Sequence, residues 1–157
     1  MSHYLEGQGV THFIPTTLHE ELDSEGHRRR EYRPVVHNLL FVRRDTTREA
    51  LTHIISDCPF PVRVYSHLDS HEYFELTGAE LMELRLICDH STLGIQVMTS
   101  HEADIRVGRM VKVTHGPLKG LTGKLVRKNK KYYVVKTFAD LGIMVSVSRW
   151  CCKEMEE

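Results

Sequence analysis

Residues 111–135, "VKVTHGPLKGLTGKLVRKNKKYYVV", set six lysines and one arginine among apolar residues with no acid between them. Cations at that density suit a polyanion, because each phosphate they neutralise releases condensed counterion. For RNA, the candidate charge contacts are Lys119, Lys124, Arg127, Lys128, Lys130 and Lys131, and the candidate stacking rings are Tyr132 and Tyr133. A solvated charged face is the plainer use of the same residues. The remaining chemistry is sparse. His67 and His71 stand four apart and Cys88-x-His90 closes a helix, but no four donors fall at metal-ligand spacing, so neither metal nor cofactor is expected. There is no phosphate-binding glycine loop with a Lys-Ser/Thr partner, no HExxH and no nucleophile elbow, so an enzyme is not expected.

The zero formal net charge hides a division. Residues 1–104 hold 9 Lys+Arg against 17 Asp+Glu, a formal −8. Residues 105–153 hold 12 Lys+Arg against the single acid Asp140, a formal +11, and three glutamates in the tail return −3. Asymmetry of this size points to two modules with different partners. The length, 157 residues, accommodates one ordinary domain or two small ones. No apolar stretch reaches the length of a membrane span, and the first residues show no secretory pattern. With Cys58, Cys88, Cys151 and Cys152 forming no CxxC pair, the expectation is a soluble cytoplasmic protein whose thiols pack as small hydrophobes.

The elements that must position these residues divide the same way. "THFIPTT" (11–17) and the run Val35 to Val42 predict strands, with a polar exposed loop, 18–30, between them. "TTREALTHIIS" (46–56) carries apolar residues at helical spacing behind a threonine cap. A short strand at Val62–Tyr65 precedes a second helix, 76–89, opened by the capping box Thr77-x-x-Glu80. Residues 91–106 are polar and without period and read as a linker. From residue 107 on, short alternating segments predict four or five strands and a small barrel, with Lys112, Lys124 and Lys136 on its solvated face.

"VGRMVKVTHGPLKGLTGKLVR" resembles a KOW motif, in which Gly116, Gly120 and Gly123 make a tight corner between strands. Preceded by "YLEGQGVTHFIPT", "RPVVHNLLFVR" and "LTGAELMEL", it resembles the NusG family of transcription elongation factors. "HGPLKGLTGKLVR" and "NLLFVR" are similar to specialised paralogues that act as antiterminators on surface-polysaccharide operons. The resemblance implies a cytoplasmic bacterial factor of α+β class. It has an N-terminal antiparallel sheet with helices on one face (1–90), a linker (91–106) and an SH3-like β-barrel (107–157). It implies binding to the clamp helices of the RNA polymerase largest subunit through Val35, Val36, Leu39 and Phe41, which favours processive elongation. It further implies that Leu118 and Phe138, at apolar loop tips, contact ribosomal protein S10 or the Rho termination factor. Nascent RNA is the other partner the basic barrel would hold, and no membrane is implied. The alternative is a ribosomal or RNA-binding KOW protein acting without polymerase.

The chain departs from the family at its start. "HYLEGQGV" matches the last turn of the family's first helix, so the first strand of the sheet, with its Trp-Tyr-like pair, is absent from the sequence. A sheet built that way would expose unpaired backbone groups at its edge and would be expected to self-associate.

Overall fold

Apolar residues at every second position drive the last fifty residues into strands. The computed structural model describes residues 1–89 and 94–156, and it divides into two units, Met1–Pro15 with His37–Phe74, and Thr16–Val36 with Glu75–Glu157. The architecture is α+β, with few helices and antiparallel sheets throughout.

In the first unit, α1 (Ser2–Gly7) buries Leu5, and Tyr4 donates its hydroxyl to the carbonyl of Ile54 at 2.7 Å. Strands β1 (His12–Phe13) and β4 (Phe41–Val42) pair antiparallel, opposing Phe13 and Phe41, whose rings stack at 6.4 Å. Helix α2 (Arg48–Ser56) starts where expected, with Thr47 Oγ1 accepting from the backbone N–H of Ala50. It buries none of its residues fully.

In the second unit, β2 (Thr16–Leu22) and β3 (Arg28–Pro34) form a hairpin that sequence reading took for a loop. A cluster of acids followed by a cluster of arginines hid it. Across its ladder they are partners, and Arg30 pairs with Glu20 at 2.7 Å. Helix α3 (Gly78–Asp89) is opened by the expected capping box: Glu80 N–H donates to Thr77 Oγ1, and Glu80 Oε2 accepts from Thr77 N–H. Leu84 and Ile87 are its most buried residues.

A six-stranded antiparallel sheet, in the order β10-β6-β7-β8-β9-β5, holds the largest core. Its strands are β5 (Ile95–Thr99), β6 (Arg109–Val113), β7 (Thr122–Lys128), β8 (Lys131–Phe138), β9 (Leu141–Val147) and β10 (Cys152–Glu154). Val111, Leu121, Phe138 and Met144 are fully shielded there.

Other expectations change as well, and Val62–Tyr65 forms no strand, only the isolated bridge Ser66↔Tyr73 following it. Val35–Val42 is not one strand. β3 ends at Pro34 and the chain turns, with Asn38 at φ 63°, a left-handed conformation that asparagine tolerates better than most residues. The first half carries two two-stranded sheets rather than one sheet backed by helices. Within the stretch read as a linker, residues 91–93 lie outside the described region. The rest includes β5, paired to β9 from Ile95↔Val145 to Thr99↔Leu141, and the short helix α4 (Ser100–Asp104). Ala103 of α4 packs on Val135 and Met144, and a Cβ on Gly142 would lie 2.8 Å from Ala103 Cβ.

Candidate nucleic-acid interface

The glycine corner between β6 and β7 has the geometry its sequence requires. Gly116 and Gly120 adopt φ values of +84° and +102°, which L-residues with side chains rarely take. Gly123 is needed for a different reason: a Cβ there would lie 2.6 Å from the Val135 carbonyl oxygen and 2.7 Å from Val134 Cγ1. Leu118 and Leu121, from the same corner, plug the core.

At the other end of β7, Asn129 and Lys130 make the two-residue loop of the β7–β8 hairpin, with φ 51° and 63°. Glycine is the usual second residue of such a loop. Placing lysine in the left-handed region keeps a charge at a conformational cost. Lys128 and Lys131 stand directly opposite each other across this hairpin. Like charges so placed repel. Arg127 lies over the Tyr132 ring at 5.6 Å. Lys119, Lys128, Lys130 and Lys131 are exposed, and none makes an ion pair or side-chain hydrogen bond among the described residues.

Not every candidate contributes. Lys124 is half-buried and donates to the Asp104 carbonyl at 3.0 Å. Lys136, expected on the solvated face, is largely covered. Its ammonium pairs with Glu83 of α3 and donates to Thr122 Oγ1, while the other Glu83 oxygen accepts from both the N–H and the hydroxyl of Thr122. Tyr133 packs on the cluster of Ala103, Val135 and Met144, whereas its neighbour Tyr132 meets Arg127. Successive strand residues point to opposite faces, so the two tyrosines offer no joint stacking surface. Leu118 and Phe138, expected at exposed loop tips, are 3% and 0% exposed and belong to the core rather than to a contact surface.

Of the residues expected to meet polymerase, Val35 and Val36 belong to the second unit, and Leu39 and Phe41 to the first. All four are half-buried and apolar. The four cysteines are free thiols, and burial pushes the Cys88 thiol up to about 11. Among the described residues, no group of three or more His, Cys, Asp or Glu is gathered as a metal site would need, and no helix is long and apolar enough to cross a membrane.

Sequence reading passed over Trp150. It is the sole tryptophan, it is 75% exposed, and its ring lies 6.1 Å from that of His115. A lone indole between Arg149 and two cysteines was the available signal. Compared with models of known protein families and with curated protein sequences, the chain matches none.

Proposed function

We propose that this chain is a transcription elongation and antitermination factor of the NusG type. In this reading, an acidic N-terminal module binds the clamp helices of RNA polymerase and a basic KOW module of SH3-like form holds a second partner. The observation that carries it is the glycine corner: two glycines in left-handed conformation and a third with no room for a side chain, at the spacing of a KOW motif. The strand order supports it as well, since β6 pairs with both β7 and β10, so that the last of these short strands lies beside the first. The apolar character of Val35, Val36, Leu39 and Phe41 suits a clamp contact, whose stabilisation comes from removing half-buried side chains from water.

Pull-down of purified core RNA polymerase tests the reading. The chain is expected to retain polymerase in moderate salt, and Val36→Asp or Leu39→Asp to lose it. Absence of binding by the unsubstituted chain, with no effect of either substitution, would overturn it.

The unpaired cations favour a second reading, an RNA-binding KOW protein that acts without polymerase. Lys128, Lys130 and Lys131 accept mutual repulsion and a left-handed backbone, a cost that phosphate would offset. Replacing all three with glutamate is expected to weaken RNA binding and flatten its salt dependence. Unchanged affinity would remove this reading.

A further inference from the structure

We infer that Trp150 and His115 form a stacking platform for an unpaired base of a single-stranded nucleic acid, with Lys112, Lys119 and Lys153 neutralising the adjoining phosphates. The inference rests on reading the basic module as a nucleic-acid surface, and it adds a site to that surface at the end away from the Asn129–Lys130 loop.

The indole is displayed, not adrift. The backbone beneath it is a single 3₁₀ turn, Arg149–Cys151, followed at once by β10. Cys151 and Cys152 are both 8% exposed and anchor it from below. The Cys151 carbonyl accepts from the Thr114 N–H at 2.7 Å and from the Thr114 hydroxyl at 3.0 Å, while Cys151 N–H donates to the Ser148 carbonyl. The Thr114 hydroxyl also bonds His115 Nδ1 at 2.8 Å, which orients the imidazole beside the indole. A large apolar ring held in water by a fixed backbone forgoes the burial that core tryptophans obtain. A base with its own π face restores that burial on binding.

Charge identifies the occupant. Strands β6 and β10 oppose Lys112 to Lys153, both exposed and neither with a side-chain partner among the described residues. Three residues further along each chain, in opposite directions, stand His115 and Trp150. His115 lies just past the end of β6 and Trp150 just before the start of β10, so each lysine is within about 11 Å, Cα to Cα, of one ring of the aromatic pair. Lys119, exposed in the same glycine corner, adds a third free charge. An apolar protein partner would gain from the indole but would have to desolvate or repel these lysines. A nucleotide uses both at once.

The sole tryptophan makes the test direct. The full chain would be titrated with a mixed-sequence single-stranded RNA about as long as such grooves hold, carrying a terminal dye. Indole fluorescence and dye anisotropy would be followed together. Expected are saturable quenching of Trp150 along the same curve as the anisotropy, and little quenching by the duplex of the same sequence. Trp150→Ala should weaken binding by about ten-fold, with Trp150→Phe recovering most of it. Lys112→Glu combined with Lys153→Glu should weaken binding and lower its salt dependence. The quenching measurement needs no variant, so it stands even if a substituted chain folds poorly. Binding seen by anisotropy without quenching, or unchanged in Trp150→Ala, would overturn the platform while leaving an RNA surface elsewhere on the module. No binding by either signal would overturn the platform and the nucleic-acid reading together.

Discussion

The six-stranded sheet and the unit formed by Met1–Pro15 with His37–Phe74 solve the burial problem differently. The sheet shields Val111, Leu121, Phe138 and Met144 completely using its own strands and α4. The other unit buries Leu5, Val10 and Pro15, but its paired strands are two residues long and α2 buries nothing completely. A region whose largest apolar residues are spent inside recognises partners through what stands outside, and here that includes free lysines and the Trp150 indole beside scattered apolar residues such as Val107 and Met110. A region that leaves Leu39 and Phe41 half-covered keeps apolar surface available for a partner.

Core truncation should separate the two regions most strongly. Phe138→Ala should cost about 4 kcal/mol, whereas Phe13→Ala, whose ring is half-buried, should cost less than about 2 kcal/mol. Denaturant unfolding of the two variants measures both. Equal losses would mean that the two regions share the burden of stability evenly.

The next effect sharpens the account of how α3 joins the sheet. Glu83 and Lys136 are 13% and 19% exposed and are bound to each other and to Thr122. Glu83→Ala should cost about 3 kcal/mol, because it strands a covered ammonium. The double substitution with Lys136→Met should cost clearly less than the two single changes added together. Strict additivity in a double-mutant cycle would contradict the contact.

The smallest effect concerns α4. Thr99 Oγ1 accepts from the Glu102 N–H while the Glu102 carboxylate accepts from the Thr99 N–H and hydroxyl. Thr99→Ala should cost about 1 kcal/mol. The Thr99 backbone N–H, with a smaller contribution from its hydroxyl, holds the Glu102 carboxyl below the usual glutamate range. A depressed folded value stabilises above the unfolded value and is lost as pH falls through the folded one. Acid titration of stability should therefore show a decline below the ordinary glutamate range that Glu102→Gln reduces.

Legibility followed the clarity of the hydrophobic period. The strands from Arg109 onward, α2 and α3 with their threonine caps, and the glycine corner stood out because alternation, helical spacing and backbone freedom each leave a local mark. The β2–β3 hairpin was illegible because its stabilising pairs are cross-strand charges, which in one dimension look like a solvated loop. β5 was missed because three of its five side chains are exposed without strict alternation, and only pairing to β9 makes them a strand. Val35–Val42 misled in the opposite sense: a β-branched run was interrupted by the turn at His37–Asn38. Among the site residues, the turn lysines were placed correctly as exposed. The burial of Leu118, Phe138 and Lys136 depended on contacts distant in sequence.

The proposed role lies in what the chain would do to a transcribing polymerase. Its most direct test is a single-round transcription reaction with purified RNA polymerase on a template carrying a terminator, with and without the full chain. Greater read-through is expected with the chain present, lost in Val36→Asp and in Leu39→Asp. Read-through unchanged by the unsubstituted chain, under conditions where it binds RNA, would contradict an elongation role and leave the basic module as an RNA-binding surface alone.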